Sequence, residues 1–173
     1  IRRAFMKIII IGLGLIGGSI AKTLSSSQDF EIFAFDSDQN SIKNALDNQS
    51  IQGSLHSIDD LRNAEYEDSV VIIATPPSAT DDILKSLDFL FNSSVTITDT
   101  TSAKSSLNKT LQEFNFPKNF IFSHPVAGSH LSGIKNSVAN LFNKKSTILS
   151  YHNSVASKHV ERVTNLWNTL GSN

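Results

Sequence analysis

Met6-Lys7-Ile8-Ile9-Ile10-Ile11-Gly12-Leu13-Gly14-Leu15-Ile16-Gly17-Gly18-Ser19 opens with four consecutive β-branched residues, Ile8 to Ile11, and carries no charge after Lys7. Such a run, closed by glycine, predicts a strand buried on both faces of a parallel sheet. Gly12, Gly14 and Gly17 match the G-x-G-x-x-G spacing by which a strand turns into a helix beneath a dinucleotide. Gly12 permits the tight turn, Gly14 lets backbone approach a pyrophosphate, and Gly17 lets the helix pack closely on the strand. Leu15 and Ile16 then bring the free N–H groups and positive end of the helix to the phosphates. By itself the spacing also suits a glycine-rich turn in some other strand–helix unit.

A carboxylate further along separates these readings. Glu31-Ile32-Phe33-Ala34-Phe35-Asp36 reads as a second strand ending in an acid, about 20 residues beyond the glycines. Asp36 there can hold both ribose hydroxyls of NAD and repel the extra phosphate of NADP. No Arg follows among Ser37-Asp38-Gln39-Asn40 to accept that phosphate. The cofactor expected is therefore NAD. The plainer alternative for Asp36 is a solvated strand end or a helix cap.

Composition narrows the class. A chain of 173 residues suits one domain with its own core. Its 39% hydrophobic and 18% charged content is ordinary for a globular chain, and a net charge of −1 offers no footprint for nucleic acid or an anionic membrane. Neither is expected as a partner. With no cysteine, disulfides, zinc–thiolate sites and thiol nucleophiles are excluded, which suits a reducing compartment such as the cytoplasm. No run reaches the length of a membrane span. Arg2 and Arg3 before an apolar run could pass for a secretory leader, but the glycine spacing and the need for a first strand favour the strand. Residues 1–5 are read as upstream of a domain spanning 6–173.

Beyond Asp36, strands and helices alternate. A helix runs through Ile42, Ala45 and Leu46, capped by Ser37 or Asp38, and a polar stretch from Ser54 to Asp68 holds a short strand and a short helix. Ser69–Thr75 is an apolar strand that Pro76-Pro77 turns into a helix bearing Ile83, Leu84, Leu87 and Leu90. Val95–Asp99 is the next strand, with Leu107, Leu111 and Phe114 at helical spacing after it. Phe120–Phe122 is a short strand, Ser146–Tyr151 another, and Val155, Val160, Val163, Trp167 and Leu170 mark a last helix stopped by Gly171. This order predicts an α/β, doubly wound, mainly parallel sheet with helices on both faces and ligands at the carboxyl ends of the strands.

Two loops at those ends bear chemistry: Asp99-Thr100-Thr101-Ser102-Ala103-Lys104, and Ser123-His124-Pro125-Val126-Ala127-Gly128-Ser129-His130. Oxidising an alcohol by hydride transfer needs a base for the hydroxyl proton, and a neutral His serves near neutral pH. A Ser beside it can orient the hydroxyl, and Lys104 can attract a substrate carboxylate. A lone loop His is as often structural, and Ser102 is also a plausible N-cap. His124 and His130 lack a third His or a carboxylate for a metal, so none is expected. His56, His152 and His159 read as loop or solvated helix positions.

The glycine block, Ala74-Thr75-Pro76-Pro77, the Asp99–Lys104 block, His124-Pro125-Val126-Ala127-Gly128-Ser129, Ser132-Gly133 and Leu141-Phe142 together resemble the prephenate/arogenate dehydrogenases of tyrosine biosynthesis. The blocks come in the family's order and cover nearly the whole chain. The resemblance implies a Rossmann-type domain and NAD-dependent oxidative decarboxylation of prephenate to 4-hydroxyphenylpyruvate, or of arogenate to tyrosine. It makes His124 the base on the ring hydroxyl and Ser102 its hydrogen-bonding partner. Thr75, Pro76 and Thr101 would line the cofactor, with Lys104, Ser129 and His130 in the substrate set. His130 departs from the family, which usually has an acidic residue there. The resemblance also implies a C-terminal helical domain, through which the full-length enzyme forms a homodimer. On that expectation this chain is the cofactor-binding part of a longer enzyme. Another small-acid dehydrogenase or a non-catalytic NAD-binding module would share the glycine loop, but a pure sensor needs neither Ser102 nor His124.

Overall fold

The computed structural model describes residues 5–127 and 133–173. Seven strands form one sheet in the order β3-β2-β1-β4-β5-β6-β7. They are β1 (Met6–Ile11), β2 (Phe30–Phe35), β3 (Gly53–Ser54), β4 (Val70–Ile73), β5 (Thr96–Asp99), β6 (Phe120–Pro125) and β7 (Thr147–Ser150). All neighbours pair in parallel except β6 and β7. The helices are α1 (Leu15–Leu24), α2 (Gln39–Asp47), α3 (Pro77–Ser86), α4 (Lys104–Glu113) and α5 (Ser157–Thr169).

Strand alternation divides the core. Ile8 and Ile10 face one side with Ile20, Leu24, Ala45, Phe142, Val163 and Trp167, while Ile9 and Ile11 face the other with Leu84, Leu87, Leu107 and Leu111. Thus α1, α2 and α5 cover one face, and α3 and α4 the other. The unbroken isoleucine run follows directly, because a central parallel strand has no solvent face. From β1 the chain winds outward through β2 to β3, then returns to lay β4 on the other side of β1. The order reverses between β1 and β4, which opens a crevice at their carboxyl ends.

Several elements refine or differ from the sequence reading. Asp38 caps α2, its side chain accepting from the Asn40 amide. The polar stretch after β3 folds into two 3-10 turns, Ile58–Arg62 and Ala64–Tyr66. Leu87 and Leu90 lie beyond α3, Leu90 in the 3-10 turn Asp88–Leu90, yet both stay buried. Ser102 does not cap α4. The cap position falls to Ala103, which lacks a capping side chain, while the Thr101 hydroxyl accepts from the Ala103 amide. β6 runs on to Pro125, so His124 is a strand residue held by its pairing with β7. The 133–146 connection straps across α1, its Val138 amide donating to the Ser19 hydroxyl and Lys22 donating to the Ser137 carbonyl.

His159 is a further correction: it is 3% exposed, not solvated. Its Nδ1 lies 2.7 Å from the Thr96 hydroxyl, which also accepts from Arg162 at 3.2 Å; Arg162 in turn pairs with Asp68 at 2.9 Å. This chain of polar contacts ties α5 to the amino end of β5. Burial, reinforced by Lys158 and Arg162 and opposed by Asp68, lowers the His159 pKa from 6.5 to about 4. In the pH range between those values the unfolded chain binds a proton that the folded chain refuses, so stability falls as pH drops through it. Chemical denaturation should show a His159-dependent loss of about 2 kcal/mol between pH 7 and pH 5. Replacing His159→Gln should flatten that part of the profile.

Candidate active site

The crevice at the β1–β4 switch encloses about 760 Å³. Gly12, Gly14, Leu15 and Ile16 form its floor, Asp36 and Ser37 one end, Thr75 and Pro76 a wall, and Thr100, Thr101 and Ser102 the lip over β5. A cleft of this size suits an extended small-molecule ligand.

The three motif glycines have separate physical reasons. Gly12 has φ +96°, and a Cβ there would lie 2.7 Å from the Ala74 carbonyl oxygen. At Gly17 a Cβ would lie 1.9 Å from the Gly12 carbonyl oxygen and 3.0 Å from Ile10 Cγ2. Both are demanded by the fold itself. Gly17 does not line the cleft; it sits beneath the turn. Gly14 differs, because a Cβ there meets nothing within 4 Å. It is the N-cap of α1 with no capping side chain, so first-turn N–H groups face the crevice uncapped. A side chain at Gly14 would occupy the space a phosphate needs, and the cradle therefore fits an anionic dinucleotide.

Asp36 follows the last residue of β2 and reaches back across the crevice. Its Oδ2 accepts from the Leu13 amide at 2.6 Å and its Oδ1 from the Asp38 amide at 2.8 Å. Each oxygen keeps a further acceptor site, enough for vicinal ribose hydroxyls. The carboxylate therefore also fastens the glycine loop, a role that spacing alone does not disclose.

At the lip, Asp99 is fully buried. Its Oδ2 accepts from the Thr101 amide at 3.0 Å and from Lys104 Nζ at 2.5 Å, and its Oδ1 accepts from the Ser123 amide at 3.2 Å. Burial pushes the Asp99 carboxyl up, against the pull of Lys104 and the two amides. Burial likewise lowers the Lys104 ammonium, although Asp99 pulls it back. Lys104, expected from the sequence to attract a substrate carboxylate, donates here to Asp99 and to the Ser123 carbonyl, the latter at 2.7 Å, and is not among the residues lining the cofactor cleft.

His124 lies one strand beyond the lip, cross-strand from Ile148, and is partly exposed. Its Nδ1 is buried and has no hydrogen-bond partner among the described residues. Ser102 is exposed on the cleft wall. Ser129 and His130 lie outside the described residues. Sequence reasoning missed Phe35, Ser41, Ala79, Ile83 and Ile134, all of which line the cleft, as does Gly133 of the Ser132-Gly133 block. Ala79 and Ile83 stand one turn apart on α3, a spacing that could have marked a face. Ile134 opens the strap that crosses α1 and has no local signal of its own beyond the Ser132-Gly133 block before it.

Fold and crevice define a Rossmann-type dinucleotide-binding domain. The family model described as "Prephenate dehydrogenase, nucleotide-binding domain" matches residues 20–173, and the chain belongs to that family. It is 36% identical over 148 residues to the prephenate dehydrogenase of Lactococcus lactis subsp. cremoris, covering 83% of this chain and 40% of that protein. It is 30% identical over 174 residues to the cyclohexadienyl dehydrogenase of Zymomonas mobilis subsp. mobilis, covering 96% and 56%. The crystal structure of the A. aeolicus prephenate dehydrogenase in complex with hydroxyphenyl propionate and NAD+ superposes with a TM-score of 0.85 at 27% identity. That match covers 100% of this chain and 60% of the other. The chain thus spans about half the length of the curated relatives it matches.

Gly14→Ala should leave thermal unfolding close to unchanged yet weaken NAD about tenfold or more in calorimetric titration, whereas Gly17→Ala should lower the unfolding midpoint markedly. Asp36→Ala should also weaken NAD by about tenfold or more and narrow the preference over NADP. An unchanged preference would remove Asp36 from the ribose.

Proposed function

We propose that this chain is the NAD-binding part of an enzyme that oxidatively decarboxylates prephenate to 4-hydroxyphenylpyruvate, or arogenate to tyrosine. The observation that carries the reading is His124: its buried Nδ1 has no hydrogen-bond partner among the described residues, and it stands one strand from a lip that presents the Ser102 hydroxyl. A buried polar nitrogen left unpaired costs about 1–3 kcal/mol, a cost tolerated at sites where the group has work to do.

In this reading the Gly14 cradle and the first turn of α1 hold the pyrophosphate, and Asp36 holds the ribose nearest β2. NAD, when bound, supplies the hydride acceptor. His124 takes the proton of the ring hydroxyl, and Ser102 orients that hydroxyl from the lip. Departure of the ring carboxylate as CO₂ leaves an aromatic product, so the step runs one way. Thr75, Pro76 and Thr101 shape the nicotinamide end, and the Ser129 and His130 assignments belong to the substrate side of the same proposal. On the family resemblance, the complete enzyme is a cytoplasmic homodimer joined through a helical C-terminal domain, with 6–173 as its cofactor domain. Among the described residues no helix is long and apolar enough to cross a membrane.

In the complete enzyme His124→Asn should lower kcat by about 10²–10⁴-fold while NAD affinity stays within about twofold. Turnover equal to that of the unaltered enzyme would remove His124 as the base. Assaying prephenate and arogenate side by side selects the substrate, and turnover of neither would overturn the proposal.

A further inference from the structure

β5 and β6 pair as a ladder only through Thr98 and Ile121. Two residues further on, Ser123 still turns its N–H and C=O toward β5, where the next backbone has already left for the lip. Two side chains continue the ladder instead. Asp99 accepts the Ser123 N–H, Lys104 donates to the Ser123 C=O, and the two are joined to each other at 2.5 Å. The Ser123 side chain is held as well, its Oγ lying 2.7 Å from the Thr98 hydroxyl and accepting from Trp167 Nε1 at 3.0 Å. Ser123 is thus bound through backbone and side chain, and the next residue is His124.

The same carboxylate reaches the lip, because Asp99 also accepts the Thr101 amide immediately before Ser102. From these contacts we infer that Asp99 and Lys104 are positioning residues, which set the imidazole of His124 in register with the Ser102 lip. The inference rests on the reading of His124 and Ser102 as the reacting groups. The Asp99 carboxylate is fully buried and the Lys104 ammonium is taken up by Asp99 and the Ser123 carbonyl, so both act through the segments they join. This ion pair, its carboxylate fully buried and its lysine only partly so, is a poor source of stability, since desolvation offsets its attraction; what it supplies here is a fixed distance between two segments. Misplacement of reacting groups by about 1 Å can cost about 10²-fold in rate, so a link of this kind has kinetic leverage.

The test uses the complete enzyme with Lys104→Met and Lys104→Gln. Lys104→Met should lower kcat about tenfold or more while the KM values for substrate and NAD stay within about threefold. Lys104→Gln, which keeps a donor for the Ser123 carbonyl, should recover part of that loss. Hydrogen exchange should quicken together in peptides 97–103 and 119–126 of Lys104→Met, with the glycine loop unchanged. A rise in substrate KM of about tenfold with kcat retained would overturn the inference and make Lys104 a substrate-carboxylate ligand. Unchanged kinetics and exchange would overturn it too. If the unaltered enzyme turns over neither cyclohexadiene acid, the proposed function fails, and exchange in the same samples decides the clamp by itself. Should Lys104→Met not fold, Lys104→Gln carries the same comparison.

Discussion

A single hydrogen atom stands where α1 passes over the turn at Gly12. Any Cβ at Gly17 would lie 1.9 Å from the Gly12 carbonyl oxygen, well inside contact distance. That close passage sets how α1 leaves the end of β1. It aims the uncapped first turn into the crevice between β1 and β4, and it lets Ile20 and Leu24 pack against the inner face of the sheet. Helix orientation, anion cradle and half of the core all follow from that approach. Gly12 shares the burden, since its positive φ is what turns the chain back beneath α1.

Two carboxylates, at the ends of β2 and β5, then organise the rim. Asp36 ties the Leu13 amide and Asp99 ties the Thr101 and Ser123 amides. Each does with a side chain what a ladder can no longer do once strands diverge: it satisfies backbone N–H groups that are leaving the sheet. The difference lies in burial. Asp36 keeps acceptor capacity facing the crevice, as a ribose ligand must. Asp99 is fully enclosed, and burial raises its pKa in spite of Lys104. Similar chemistry at equivalent ends of two strands therefore yields a ligand contact in one case and an internal link in the other.

Much of this was legible in the chain. The isoleucine run, the glycine spacing and the acid after β2 are local signals, each tied to a conformation or contact that few other residues can supply. The strand–helix alternation placed the informative loops at one end of the sheet, and the lip and His124 are found there. Less legible was what a side chain does once strands from distant parts of the chain meet. Lys104 reads as a free cation in one dimension and is bound to Asp99 and Ser123 in three. His159 reads as a solvated helix position and is buried against Thr96 of a strand 63 residues away.

The sequence by itself determined the alternation of elements, the dinucleotide turn and the residue types available at the strand ends, because backbone conformation and hydrophobic period are local properties. Only the tertiary structure decided how those residues are used. Lys104 lies 19 residues before Ser123, and Trp167 lies 44 after it, yet both bond to it. Gly133 and Ile134, at the start of the 133–146 strap that goes on to bond to α1, line the cofactor cleft. Such pairings depend on which strands become neighbours in a sheet whose order reverses at β1, and that order is a property of the packed whole.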